Sequence, residues 1–137
     1  MKISASGATA LAVALACLAP HPAAAGKYDG SAPLICAAIV VTECGAEGEC
    51  FQHRRAESVN LPSIWRLDVK RMKVHYPELN RESPIRNVDR RSGKLLLSGA
   101  ESEHGWILVV HEDNGRMSAA VSTHDAGFII FGQCALP

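Results

Sequence analysis

Aromatic side chains make up only 5% of the 137 residues, so large groups that could anchor a binding surface are few. The common motifs of enzyme chemistry are missing too. No H-E-x-x-H, G-x-S-x-G, P-loop or EF-hand loop occurs, which removes the usual metalloprotease, hydrolase, nucleotide and calcium readings. His111-Glu112-Asp113-Asn114-Gly115 begins like a zinc motif and then becomes a turn signal. Cys-x-x-Cys is absent, which disfavours redox and zinc sites. Neither sign of charge is in excess, with 14 basic and 14 acidic residues. A nucleic-acid binder driven by overall charge is therefore disfavoured.

What is present begins with an address. Lys2 precedes an apolar run from Ala8 to Ala19, Pro20 ends it, and Ala23-Ala24-Ala25 offers small residues for cleavage. This is the layout of a secretory signal peptide. The run is shorter than the roughly 20 residues that a membrane-spanning helix needs. Cys17 after Ala14-Leu15-Ala16 raises a lipoprotein alternative, but Ala14 stands where Leu is usual, and a soluble cleavage site follows. Residues 1–25 are thus read as a leader, and residues 26–137 as one exported domain with no further membrane segment. That domain is 112 residues long, with 13 basic and 14 acidic side chains.

Four cysteines remain: Cys36, Cys44, Cys50 and Cys134. An even count in a small exported domain reads as two disulfides, for which sequence allows three pairings. Short apolar stretches alternate with turn clusters every 8 to 12 residues or so, the pattern of an antiparallel β protein. Candidate strands are 34–42, 50–54, 65–69, 72–76, 84–89, 94–98, 106–112, 116–122 and 128–134. The parity of the apolar positions changes at Lys70-Arg71, which predicts a turn or bulge there. Ser92-Gly93 and Asn114-Gly115 are hairpin signals. Polar residues 77–83 read as the longest loop.

The expected architecture is a single up-and-down β-barrel of about eight strands, with a β-sandwich as the alternative. Cys36 falls on the first strand and Cys134 on the last, so bridging them would staple the ends of the meander. Cys44 and Cys50 would then clamp the first hairpin. Alternation places Ala38, Val40, Phe128 and Ile130 on the side of these two cysteines. Ile35, Ile39, Val41, Ile129 and Phe131 fall on the other side. Both sides are apolar, so the second is expected either to lie beneath the N-terminal segment or the long loop, or to form a homodimer contact.

A binding module is expected rather than an enzyme, with no cofactor and no metal site. His53, His75, His104, His111 and His124 lack ligand spacing. Charge is unevenly spread, however. Residues 54–94 carry 11 basic and 5 acidic side chains, a net of +6. Arg66, Lys70, Arg71 and Lys73 should point outward together, and Arg90 and Arg91 crowd the next turn. This patch suits an anionic envelope component or an acidic surface of a periplasmic protein. The bland alternative is a solvated face paired with Glu57, Asp68, Glu78 and Asp89.

GKYDGSAPLICA, VNLP, SPIRNV, Gly105-Trp106, NGRM and GFIIFGQC together resemble a group of small exported proteins of Gram-negative bacteria to which no activity is assigned. The resemblance implies the compartment and a two-disulfide β fold, and carries over no functional residue. In outline the architecture is also similar to the periplasmic inhibitors of lysozyme and of proteases. The inhibitors' loop motifs are absent, so this similarity is architectural only. The expected role is a protein-binding or hydrolase-inhibiting module that uses the basic surface around Arg66, Arg71, Arg90 and Arg91. The alternative is a carrier of a small apolar ligand inside the barrel, oriented by Trp65 or Trp106. A hydrolase or metal enzyme is the remote alternative.

Overall fold

The computed structural model describes residues 26–137. The expected leader and Cys17 lie outside the described residues. Among the described residues ten strands form: β1 (Leu34–Gly45), β2 (Cys50–His53), β3 (Ile64–Asp68), β4 (Lys73–Tyr76), β5 (Arg81–Pro84), β6 (Asn87–Arg91), β7 (Lys94–Glu101), β8 (His104–His111), β9 (Arg116–Ser122) and β10 (Ala126–Ala135). All join one antiparallel sheet, in the order β5-β4-β3-β1-β10-β9-β8-β7-β6, with β2 on the C-terminal half of β1. A single sheet excludes the sandwich.

The sheet curls into a half-barrel around Leu34, Leu67, Leu95, Leu97, Leu108, Val110 and Ile130, all fully buried. Its margins, β5 and β6, do not pair with each other, yet they are consecutive pieces of one extended run. The Ile85 N–H donates to Met72 O at 2.9 Å, continuing the ladder to β4. Next, the Arg86 N–H donates to Ser98 O at 2.8 Å, beginning the ladder to β7. The margins are therefore linked end to end rather than side by side.

Turn chemistry follows the sequence closely at one hairpin and departs from it at another. Ser92 and Gly93 both have positive φ, 51° and 71°. That is the type I′ geometry that matches strand twist. The Asn114-Gly115 turn is instead a four-residue loop, closed by the Gly115 N–H donating to His111 O at 2.8 Å. Only Gly115 takes a positive φ there, 72°.

Two further expectations need correction. Residues 77–83 are not a structureless loop, because β5 begins at Arg81. Its polar composition hid it, since the core-facing residue is Ser83, which accepts the Trp106 indole N–H at 3.0 Å. The second correction concerns parity on β1. The β1–β10 register shifts between Ala38 and Val40. That bulge at Ile39 reverses the alternation, so Val41 is fully buried rather than outward.

Cys36 and Cys134 face each other across the β1–β10 ladder and are joined by a 2.00 Å S–S bond inside the core. Cys44 and Cys50 are likewise opposed and bonded across β1 and β2.

Residues 26–33 cross one end of the half-barrel as a plug. The Tyr28 N–H donates to Glu112 O at 3.0 Å. Arg90 donates from Nε and Nη2 to Asp29 O at 3.2 and 3.0 Å. This placement leaves the outer apolar face uncovered among the described residues. Ile39 is 56% exposed and Phe131 52% exposed, so burial beneath the N-terminal segment or the loop does not occur.

The two bridges close loops of very different length, with sequence separations of 98 and 6. Chain entropy alone gives about 4.7 kcal/mol for the long loop and about 2 kcal/mol for the short one. Denaturant unfolding under non-reducing conditions is expected to show that larger loss for Cys36→Ala with Cys134→Ala. Cys44→Ala with Cys50→Ala should cost about half as much.

Candidate functional site

The end of the half-barrel opposite the plug is open. Core-facing positions there carry aromatic rings instead of aliphatic side chains. Trp65 on β3 and Tyr76 on β4 meet edge to face, with ring centroids 6.3 Å apart. The Trp65 indole donates to Pro62 O at 2.8 Å, which fixes the ring against the chain entering β3. Trp106 on β8 is paired with Gly99 on β7. A Cβ at Gly99 would overlap the Trp106 ring, so the missing side chain is what lets the indole lie flat and reach Ser83.

These rings wall a cavity of about 110 Å³, with Val74, Leu108, Ala119 and Val121 at its sides and floor. Leu61, Leu79 and His104 stand at its rim. Arg81 donates from Nη2 to Glu101 Oε1 at 2.7 Å, bridging β5 and β7 where the two strands lack ladder bonds. The Glu101 carboxylate, by hydrogen bond and by charge, raises the Arg81 pKa further above its ordinary value. The site is thus an apolar chamber with one ion pair at its mouth. The sequence singles out Trp65 and Trp106 as ligand-orienting residues, but assigns no such role to Tyr76, Arg81 or Glu101. No motif marks these three, which reach the mouth only through the β4–β5 and β7–β8 pairings.

The basic residues singled out from sequence are all exposed, but they do not form one free patch. Lys73 pairs with Glu82 at 2.6 Å and Arg71 with Asp68 at 3.4 Å. Arg91 pairs with Asp89 at 2.7 Å, while Arg90 holds the plug. Lys73 keeps the Glu82 carboxyl below its usual pKa. Glu57 and Glu78 serve Ser63 instead of a cation: the Ser63 hydroxyl donates to Glu57, and its N–H donates to Glu78. Arg66 and Lys70 have no acidic partner within 4.0 Å among the described residues. His53 contacts Glu43 at 3.1 Å and His124 contacts Asp125 at 3.7 Å. No group of three or more His, Cys, Asp or Glu positioned to hold a metal ion occurs among the described residues.

Burial pushes the Tyr76 phenol from 10.0 up to about 12, with Glu101 adding to the rise while Ser83 and Arg81 oppose it. The neutral phenol is the form the fold favours. Its contribution to stability is therefore complete below about pH 10, the unfolded value, and is lost as pH climbs toward about 12. Urea unfolding between those pH values is expected to show a steep decline for the native chain and a shallower one for Tyr76→Phe. No protein-family model, curated protein or solved structure matches this chain.

Proposed function

We propose that the chain is an exported binding protein whose open barrel end receives a small apolar ligand, or the apolar part of a larger one. The aromatic-walled cavity carries this reading. An apolar cavity of about 150 Å³ is large enough for benzene, so a chamber of about 110 Å³ suits a slightly smaller group, or one that projects from the mouth. The cavity walls supply apolar contact, and Arg81 and Glu101 give the entrance a polar rim that can orient a ligand with one polar end. The leader pattern and two disulfides support an oxidising, periplasmic setting.

Small aromatic probes, benzene and indole, test this through tryptophan fluorescence and calorimetry. Saturable binding is expected for the native chain. Ala119→Leu, which fills the chamber, should remove it at a stability cost of about 1–3 kcal/mol. Absence of saturation, or unchanged affinity in the filled variant, would reject the reading.

The excess of cations in residues 54–94 supports a second reading. Arg66 and Lys70 are free to meet an anionic envelope component or an acidic protein surface. Sedimentation with vesicles of anionic phospholipid is expected to show salt-sensitive binding that Arg66→Glu with Lys70→Glu weakens. Equal binding by both proteins would remove this patch from consideration.

A further inference from the structure

Glu112 is a buried acid with one carboxylate oxygen that the fold leaves without a partner among the described residues. The residue is 9% exposed, and the oxygen without a hydrogen-bond partner is Oε1. A buried carboxylate oxygen without a donor is a costly arrangement. The backbone of Glu112 is fully used: its N–H donates to Gly93 O at 2.9 Å, and its carbonyl accepts from Tyr28 at 3.0 Å. The residue is therefore fixed where the plug begins.

Gly26 packs directly on it. A Cβ at position 26 would overlap the Glu112 side chain and carbonyl, so only glycine allows this approach. Two cations at this end of the half-barrel are engaged elsewhere. The Lys27 ammonium lies 5.4 Å from the Tyr28 ring centroid, and Arg90 is bonded to Asp29 O.

The Ala23-Ala24-Ala25 pattern places leader cleavage just before Gly26. We propose that this cleavage creates the missing partner: the α-ammonium of Gly26 pairs with the Glu112 carboxylate and locks the plug. The inference rests on the exported reading above. In the step, a signal-peptidase-class protease adds water across the Ala25–Gly26 amide. Hydroxide goes to the new Ala25 carboxyl and hydrogen to the Gly26 nitrogen. That amine then takes a further proton from solvent, since α-amines titrate near 7.7–8.0. An amide nitrogen at this position offers one donor and no charge, whereas the ammonium offers three donors and a full charge. The uncleaved chain thus keeps an orphaned buried acid, and its plug is looser. Removing the leader tightens the fold at the moment export is complete.

Mass mapping of the protein from the cell envelope is the first test, and a chain beginning at Gly26 is expected. A chain still carrying Met1 would overturn the exported reading, and with it this inference. Any other start would leave export standing and overturn the inference alone. The second test compares urea unfolding of the disulfide-bonded chain beginning at Gly26 with one that retains Ala25, each with Glu112 and with Glu112→Gln. With Glu112, retention of Ala25 is expected to raise the unfolding constant by about tenfold or more, the low end for one lost charged hydrogen bond. In the Glu112→Gln background the same extension should change it less than about twofold. Amide exchange at Tyr28 gives an independent readout, accelerating with the extension only when Glu112 is present. Equal effects of the extension in both backgrounds would overturn the proposal.

Discussion

The covalent joining of the first and last strands is the constraint on which the rest of this structure depends. β1 and β10 are far apart in sequence, and closing so long a loop is entropically costly before any contact rewards it. The Cys36–Cys134 bond removes most of that cost from the unfolded chain. It is all the more important because the opposite margin of the sheet is weak. There, β5 and β6 are linked only end to end through Ile85 and Arg86, with Arg81 and Glu101 spanning the gap. A half-barrel of this kind keeps its curvature because its strongest ladder is also cross-linked. The interior exists only while that curvature holds.

Curvature gives the molecule two unlike ends. At one, residues 26–33 lie across the core, held by backbone bonds to Glu112 and by Arg90 on Asp29 O. At the other, the chain supplies Trp65, Tyr76 and Trp106 in place of a plug. In a chain so poor in aromatics, this opening gathers both tryptophans and one of the two tyrosines. The polar pair at the rim lies where the two sheet margins fail to meet. The gap in the sheet and the mouth of the chamber are therefore the same feature.

Much of this was legible in the residues. Ser92-Gly93 fixed a turn because both positions accept positive φ, and the positions of Cys36 and Cys134 in the meander implied their bond. Other features were hidden for identifiable reasons. A bulge at Ile39 inserts one residue and flips every later side chain, so Val41 was assigned to the wrong face. Strand β5 escaped notice because its inward residue is Ser83, a polar group satisfied by an indole far along the chain. Asn114-Gly115 resembles a two-residue turn. The loop is longer because Glu112 bonds to Gly93 and to the arriving N-terminal segment. Of the chamber, only Trp65 and Trp106 were legible as ligand-orienting residues, since its walls depend on rings from β3, β4 and β8 that meet only after the sheet curls.

Hydrogen–deuterium exchange on the disulfide-intact chain, resolved by residue, tests the central constraint most directly. Slowest exchange is expected along the β1–β10 ladder, at Val41 and Ile130 above all, and on into β9, with faster exchange at the β5–β6 margin. Rapid exchange along β1 and β10, with protection concentrated at that margin, would contradict the account.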